Sequence, residues 1–372
     1  MKTYLVGGSV RDELLGLAVQ DHDHVVVGAE PEEMVKRGFR PVGADFPVFL
    51  HPETNEEYAL ARTERKTAPG YRGFAFHADS KVTLEEDLKR RDLTINAMAR
   101  AEDGTLVDPH GGERDLRAGI LRHVSDAFAE DPVRILRVAR FAARFGFAVA
   151  PETLELMRRM VKGGEADALV PERVWQELAR GLMEKAPSRM IAVLRECGAL
   201  ARILPEIDRS FSHPDAPDRL VERLECSAAR GHPLAVRFAL LVLDLHVDEV
   251  ASLAERVNAP NDCRELARLA VCERDEVKNP DLDAESTLSL LERTDAFRRP
   301  DRLERLVEVA QCDAHGDEKR AKDPQEPLRR ALEAARKVDA GAIARSHPED
   351  IGEAVRRARL AAIAALQPPT GN

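Results

Sequence analysis

Gly7-Gly8-Ser9-Val10-Arg11-Asp12 and, a little further on, Asp21-His22-Asp23 are the residues whose types and spacing suggest chemistry first. Side chains in a strand point to opposite faces in turn, so the spacing predicts Asp21 and Asp23 on one face of a strand and His22 on the other. Val25-Val26-Val27 reads as the buried continuation of that strand. The glycine pair is suited to a phosphate-cradling turn just before it. Two hard oxygen ligands beside such a turn are what a magnesium–triphosphate complex needs. Neither half is specific alone, because GG-x-x-R arises by chance and D-x-D is common on surfaces. In this order they favour nucleotidyl transfer.

Three later clusters carry charge in patterns. After Ala129-Glu130-Asp131-Pro132-Val133, residues Arg134, Arg137, Arg140 and Arg144 recur at three, three and four. They fall within roughly a third of a helix circumference, with Ile135, Leu136, Val138, Ala139 and Ala142 opposite. A solvated basic face is the ordinary fate of such a stripe; a nearby triphosphate would give it a task. In Leu88-Lys89-Arg90-Arg91-Asp92-Leu93-Thr94-Ile95-Asn96-Ala97, a polar side (Arg91, Asp92, Asn96) lies beside apolar Leu93, Ile95 and Met98. This reads as an amphipathic helix, in which Arg91 could reach sugar or phosphate and Asn96 could fix a nearby loop. Pro171-Glu172-Arg173-Val174-Trp175-Gln176-Glu177 opens another helix. Its Glu172 and Glu177 are expected to brace the basic helix by ion pairs, with Trp175 in the core.

The elements that must position these groups divide the chain. Tyr4-Leu5-Val6, Val25-Val26-Val27, Val48-Phe49-Leu50 and Tyr58-Ala59-Leu60-Ala61 read as strands, and Pro31 to Lys36 and Leu84 to Met98 as helices. The polar stretch from Lys66 to Val82 is expected to be a mobile loop. Beyond about residue 126 the three-and-four apolar spacing predicts helices such as Pro132 to Phe145, Pro151 to Val161, Pro171 to Met183 and Ser188 to Cys197, several with proline at the start. Ile207 to Leu220 is the best linker candidate. The fold class is therefore α+β, a head with a small mixed sheet over residues 1-125 followed by helical modules. These are a neck at 126-205, a body at 206-300 and a tail at 301-372.

The chain of 372 residues, 44% hydrophobic and 33% charged, is long enough for several cores. Its net charge of −10 argues against nonspecific coating of nucleic acid without excluding a locally basic groove. Arginine outnumbers lysine, which suits bidentate phosphate contacts, although genomic base composition gives the same bias. The five cysteines are scattered and form no C-x-x-C, so buried or free thiols in a reducing cytosol are expected. The start holds too short an apolar stretch for a signal peptide and no later run could span a membrane, which predicts a soluble cytoplasmic protein.

The ordered set GGSVRD, DHD, RRDLTINA, EDPVR and ERVWQE, with FPVFLHPETNEEYALARTERK between, resembles the bacterial class II tRNA nucleotidyltransferases, the CCA-adding enzymes. These belong to the polymerase-β-like nucleotidyltransferase superfamily. The resemblance runs through most of the chain and weakens near residues 209 to 232. It implies that Asp21 and Asp23 hold two magnesium ions and that a tRNA lacking all or part of its 3′ CCA is extended from CTP and ATP with release of pyrophosphate. It implies triphosphate support by Gly8 and Arg11, further nucleotide contacts by Arg91, Arg137 and Arg140, and base reading by Asp131 and Arg134. Glu57 is a candidate third carboxylate. No protein partner and no membrane are implied.

The base-reading role agrees with hydrogen-bonding capacity, because aspartate only accepts and arginine only donates. Cytosine and adenine each offer an amino donor beside a ring-nitrogen acceptor, whereas uracil and guanine offer a carbonyl beside an N–H. The family's flexible loop between the DxD and RRD motifs corresponds to Lys66 to Val82, which favours a complete CCA enzyme. One departure stands out. Long bacterial members carry a metal-dependent phosphohydrolase domain marked by His-Asp, but here Leu243 precedes Asp244, and Asp244 with His246 is not enough for a dinuclear site. No phosphohydrolase activity is expected. The alternatives are a bacterial poly(A) polymerase, which shares every central motif, and a noncatalytic RNA-binding protein on the same scaffold. The tail arginines and lysine (Arg329, Arg330, Arg336, Lys337, Arg356, Arg357, Arg359) could follow tRNA phosphates or be solvated.

Overall fold

The computed structural model describes residues 1–19, 21–42, 48–66, 74–78, 80–313, 326–346 and 348–366, with side chains of 63–79 left aside. The chain forms two compact units, Met1–Pro205 and Glu206–Asn372.

In the first unit β1 (Lys2–Val6), α1 (Gly8–Leu14), β2 (Asp23–Val27), α2 (Pro31–Lys36), β3 (Arg40–Val42), β4 (Val48–Leu50) and β5 (Glu57–Leu60) follow one another. Next come β6 (Arg62–Lys66), β7 (Phe74–Ala78), α3 (Leu84–Lys89), β8 (Ala99–Ala101) and β9 (Leu106–Val107). Seven strands form one mixed sheet in the order β3-β4-β5-β2-β1-β8-β9, in which β2 and β5 run parallel and the other neighbours antiparallel. The Val25-Val26-Val27 run is explained by burial on both faces. Val25 packs with Val6, Leu84, Leu88 and Ala99, while Val26 packs with Met34, Phe49 and Leu60 on the other side.

Four local expectations change. The strand begins only at Asp23, so Asp21 and His22 precede it, and the two aspartates are not alternate residues of one strand. The glycine turn leads into α1, whose Ser9, Val10, Arg11 and Asp12 are buried, rather than directly into the strand. The expected helix from Leu84 to Met98 ends at Lys89 and resumes only as a short 3₁₀ turn at Thr94–Asn96. The cause is local competition: the Asp92 carboxylate accepts from the Leu93 N–H and the Asn96 amide, a pattern that favours a turn over a helix. In the expected loop, β6 and β7 pair as antiparallel strands, because Arg62 to Lys66 and Phe74 to Ala78 match in register; the tip at 67–73 lies outside the described residues.

The first unit continues with α4 (Gly112–Ala118), the two-residue parallel pair β10 (Ile120–Leu121) and β11 (Ala148–Val149), and the helices α5 (Val133–Phe145), α6 (Pro151–Lys162), α7 (Pro171–Leu182), α8 (Pro187–Glu196) and α9 (Leu200–Ile203). Proline at the start of α6, α7 and α8 fits the first helical turn, where its missing N–H has no partner to lose. The α5 helix packs on α7 and α8, and its Ile135, Leu136, Val138, Ala139 and Ala142 are fully buried.

The second unit is helical: α10 (Pro205–Ser210), α11 (Ala216–Ala229), α12 (Leu234–Leu241), α13 (Val247–Arg256), α14 (Asn261–Lys278), α15 (Ala284–Arg293), α16 (Pro300–Asp313), α17 (Glu326–Arg336), α18 (Ala340–Ser346) and α19 (Ile351–Ala364). The expected linker from Ile207 to Leu220 is largely helical, with buried Ile207, Ala216 and Leu220 anchoring α10 and α11. Leu288, Leu291, Leu303, Val307, Leu332 and Ile363 form a core shared by α15, α16, α17 and α19. Cys226 and Cys312 form a disulfide, contrary to the expectation of free thiols, since α11 packs on α16 and brings their Cα atoms to 5.6 Å. A separation of 86 residues gives no sequence signal for that pairing. Cys197 and Cys263 are buried free thiols and Cys272 an exposed one.

Candidate nucleotide site

A cavity of about 660 Å³ in the first unit collects residues from the sheet, the turn after α3 and the helices α5 and α7. Gly8, Arg11, Asp23, Arg91, Asp131, Arg134 and Arg137 all line it, so groups spread over more than a hundred residues of chain share one wall. Gly7 has a positive φ of 70°, and a Cβ there would come within 2.8 Å of the Arg91 guanidinium; glycine is what lets Arg91 lie against this turn.

At the sheet end, Asp23 lines the cavity, whereas Asp21 is exposed and is not among the lining residues. The protein around Asp23 partly strips its water, which pushes its carboxyl above the ordinary value; Arg91 opposes the rise and Asp21 adds to it. Glu57 is the in-register partner of Asp23 on parallel β5 and lines the same cavity. Among the described residues no group of three or more His, Cys, Asp and Glu side chains is placed to hold a metal ion. The donor set of Asp21 and Asp23 nonetheless fits magnesium, which binds through one or two carboxylates and takes its other ligands from water and substrate phosphates. Cationic charge there would also relieve the repulsion felt by Asp23.

The turn after α3 is a hydrogen-bonded hub. Asn96 accepts from Arg11 Nη1 at 2.5 Å and donates to Asp92 at 3.0 Å, and Asp92 accepts from Arg137 Nε at 2.7 Å. Burial alone would push the Asp92 carboxyl up, but Arg137 and the Asn96 amide hold it well below the usual carboxylate range. Arg137 is raised in turn, chiefly by Asp92. Arg91 donates to the fully buried Asp87, which also pairs with Arg90. Arg11 is almost fully buried, paired with Asp12 and packed over the Phe141 and Phe145 rings at 5.2 and 5.0 Å. Burial lowers its pKa.

The basic stripe of α5 is therefore not a solvated face. Arg134 donates to the Ala127 carbonyl at 2.8 Å, Arg137 pairs with Asp92, and Arg144 pairs with Asp12 at 2.9 Å. Arg140 is not among the residues lining the cavity; it is buried against Glu177 at 2.6 Å and over the Phe141 ring at 4.5 Å. Glu177 is thus the brace expected of it, whereas Glu172 is exposed and makes no ion pair among the described residues. Trp175 is half-buried rather than in the core. The Asp131 carboxylate is held by both ends of the Arg173 guanidinium, at 3.0 and 2.8 Å.

Arg173, Gln176 and Arg180 also line the cavity, beyond the residues expected from the sequence. Their signal was legible as a three-and-four repeat on the face of α7 that carries Glu177.

In the second unit Asp244 pairs with Arg223 and Arg274, and buried Asp313 pairs with Arg223, Arg274 and Lys278. Five of the tail cations also have partners: Arg329 with Glu304, Lys337 with Glu333, Arg356 with Glu285 and Glu292, Arg357 with Asp350, and Arg359 over the Phe297 ring.

A sheet-borne carboxylate, a glycine turn and an arginine-lined cavity capped by helices define a nucleotidyltransferase head on a helical neck. Residues 3–122 match the poly A polymerase head domain, and residues 146–211 match the probable RNA and SrmB-binding site of polymerase A. A multifunctional CCA protein of Aromatoleum aromaticum is 56% identical, covering 98% of each chain. One of Chromobacterium violaceum is 56% identical over 92% of each. The crystal structure of a Bacillus stearothermophilus CCA-adding enzyme in complex with CTP superposes with a TM-score of 0.71 at 26% identity, covering 98% of this chain and 88% of that one. A Thermotoga maritima CCA-adding enzyme complexed with tRNA shares the fold at a TM-score of 0.64 and 22% identity, covering 98% of this chain and 87% of that one. The chain belongs to the bacterial multifunctional CCA proteins, class II tRNA nucleotidyltransferases, and is a CCA tRNA nucleotidyltransferase rather than one of the poly(A) polymerases that share its motifs. The aligned length of 400 positions with the Aromatoleum protein exceeds this chain's 372 residues, so the chain carries deletions relative to that protein.

Proposed function

We propose that this enzyme adds and repairs the 3′-terminal CCA of tRNA from CTP and ATP, with Asp21 and Asp23 as magnesium ligands and Asp131 and Arg134 as the readers of the incoming base. The observation that carries this reading is the single cavity shared by Asp23, Arg91, Arg137, Asp131 and Arg134. Bound magnesium would supply charge neutralisation of the triphosphate and a lowered pKa for the RNA 3′-hydroxyl. The chain's own groups do the rest. Arg91 and Arg137 reach the cavity from anchored positions on Asp87 and Asp92, so little side-chain order remains to be fixed when a triphosphate enters. Gly8 and Arg11 stand beside Asp23 to support the triphosphate. The RNA hydroxyl attacks the α-phosphorus in line and pyrophosphate leaves.

Asp131 would accept from the amino group of cytosine or adenine, and Arg134 would donate to the neighbouring ring nitrogen. Uracil or guanine mismatches both, and each unpaired buried polar group costs about 1–3 kcal/mol. The order C, C, A requires the growing RNA end to reshape this pocket. No described helix is long and apolar enough to cross a membrane; a cytoplasmic site of action fits the tRNA substrate. Purified protein, tRNA lacking its 3′ end, and each nucleotide alone or mixed provide the test. Incorporation of CTP followed by one ATP is expected, and long A tails without CTP incorporation would overturn the reading.

A further inference from the structure

We propose that Arg173 is a positioning residue for base selection, fixing the Asp131 carboxylate so that one defined oxygen, Oδ2, faces the incoming base. This rests on the base-reading role given to Asp131 above. Acceptor capacity singles out this oxygen. A carboxylate has two oxygens with about four lone-pair sites between them. Oδ1 of Asp131 accepts from Arg173 Nη1 at 3.0 Å and from the Val133 N–H at 3.1 Å, which uses both of its sites. Oδ2 accepts only from Arg173 Nη2 at 2.8 Å among the described residues, which leaves one site. Both side chains line the nucleotide cavity and neither is fully buried, with 26% of Arg173 and 18% of Asp131 exposed.

The two-pronged contact does three things at once. It fixes the carboxylate plane, because a planar fork meets a planar carboxylate in one orientation. It aims a group that only accepts at the base, so a carbonyl of uracil or guanine meets an acceptor. It also ties the reader to α7, 42 residues further along the chain. A lysine at 173 would keep the charge while losing the fork. The plane would then turn, and Oδ2 would no longer be singled out.

The test compares kcat and KM for CTP and UTP, and for ATP and GTP, in the parent, Arg173→Lys, Arg173→Gln and Asp131→Ala, with melting temperature followed alongside. For Arg173→Lys a loss of about tenfold in the CTP-over-UTP preference is expected, the size of one well-made charged hydrogen bond. The change is expected mainly in KM for CTP, at near-parental melting temperature. Arg173→Gln is expected to fall further. Adding Arg173→Lys to Asp131→Ala should change selectivity no more, because Arg173 acts through Asp131. If Asp131→Ala keeps the parent preference, the base-reading role itself fails. If Asp131→Ala loses the preference while both Arg173 variants keep it, the positioning role fails and the base-reading role stands. Tighter CTP binding by either Arg173 variant would also overturn the proposal, since it would mean that Arg173 competes with the base for Asp131.

Discussion

Arg137 Nε donates to the Asp92 carboxylate at 2.7 Å, joining the helix that carries the basic stripe to the turn that follows α3. Through Asn96 the same carboxylate is linked to Arg11 beside the glycine turn. Two arginines that line the cavity therefore depend on one buried acid.

Replacing Asp92 by alanine is expected to leave Arg137 without its partner and Asn96 without its anchor. Breaking a buried pair from one side costs about 3–5 kcal/mol, and the partial exposure of Arg137 puts the loss at the low end or below. Chemical unfolding of the parent and variant checks it. Incorporation of CTP should fall more steeply than tRNA binding, because the wall of the proposed nucleotide cavity is what loosens.

Arg140 and Glu177 make a sharper test of structure against contact. Arg140→Ala leaves Glu177 buried and unpaired and is expected to destabilise by about 3 kcal/mol or more. The double variant Arg140→Met, Glu177→Leu should recover much of that. If Arg140 and Glu177 act only as a brace, the double variant keeps a near-parental KM for CTP; a KM still raised at recovered stability would mean that the pair, whose Glu177 lines the cavity, reaches the nucleotide.

Replacing Asp21 or Asp23 by alanine is expected to abolish incorporation while tRNA binding, followed by filter retention or gel shift, stays measurable. Catalysis near the parent rate would refute the metal assignment. Asp23→Asn should fold as well as the parent in chelator, because the amide removes a carboxylate that its surroundings disfavour.

The second unit carries a pH prediction. Burial would raise the Asp313 carboxyl, but donation from Arg274 and Lys278 and the charge of Arg223 hold it below the usual range. A depressed folded-state pKa stabilises the protein above the unfolded value of about 3.9, and the stabilisation is lost as pH falls further toward the folded-state value. The gap in melting temperature between the parent and Asp313→Asn should be widest near neutrality and narrow below about pH 4.

The same ion cluster bears on hydrolysis. Asp244, the acid that follows Leu243, has Arg223 and Arg274 as partners. Assays of 2′,3′-cyclic phosphate with added nickel or magnesium should yield no turnover. Hydrolysis that survives in Asp21 and Asp23 variants would show a second site and overturn this.

What the sequence determined by itself lies in its periodicities and short ordered motifs. The valine run placed β2, the apolar three-and-four spacing placed α5 through α8, and the order of GGSVRD, DHD, RRDLTINA, EDPVR and ERVWQE pointed to the family. These features are local, and local patterns write directly into sequence. Tertiary structure decided which groups meet. Whether the α5 arginines face water or carboxylates depends on Asp12, Asp92 and Glu177, which arrive from three other elements. Likewise the bond between Cys226 and Cys312 depends on how α11 lies against α16. The grip of Arg173 on Asp131 joins the start of α7 to the start of α5. Such pairings are fixed by packing across long stretches of chain, where no spacing rule links one partner to the other.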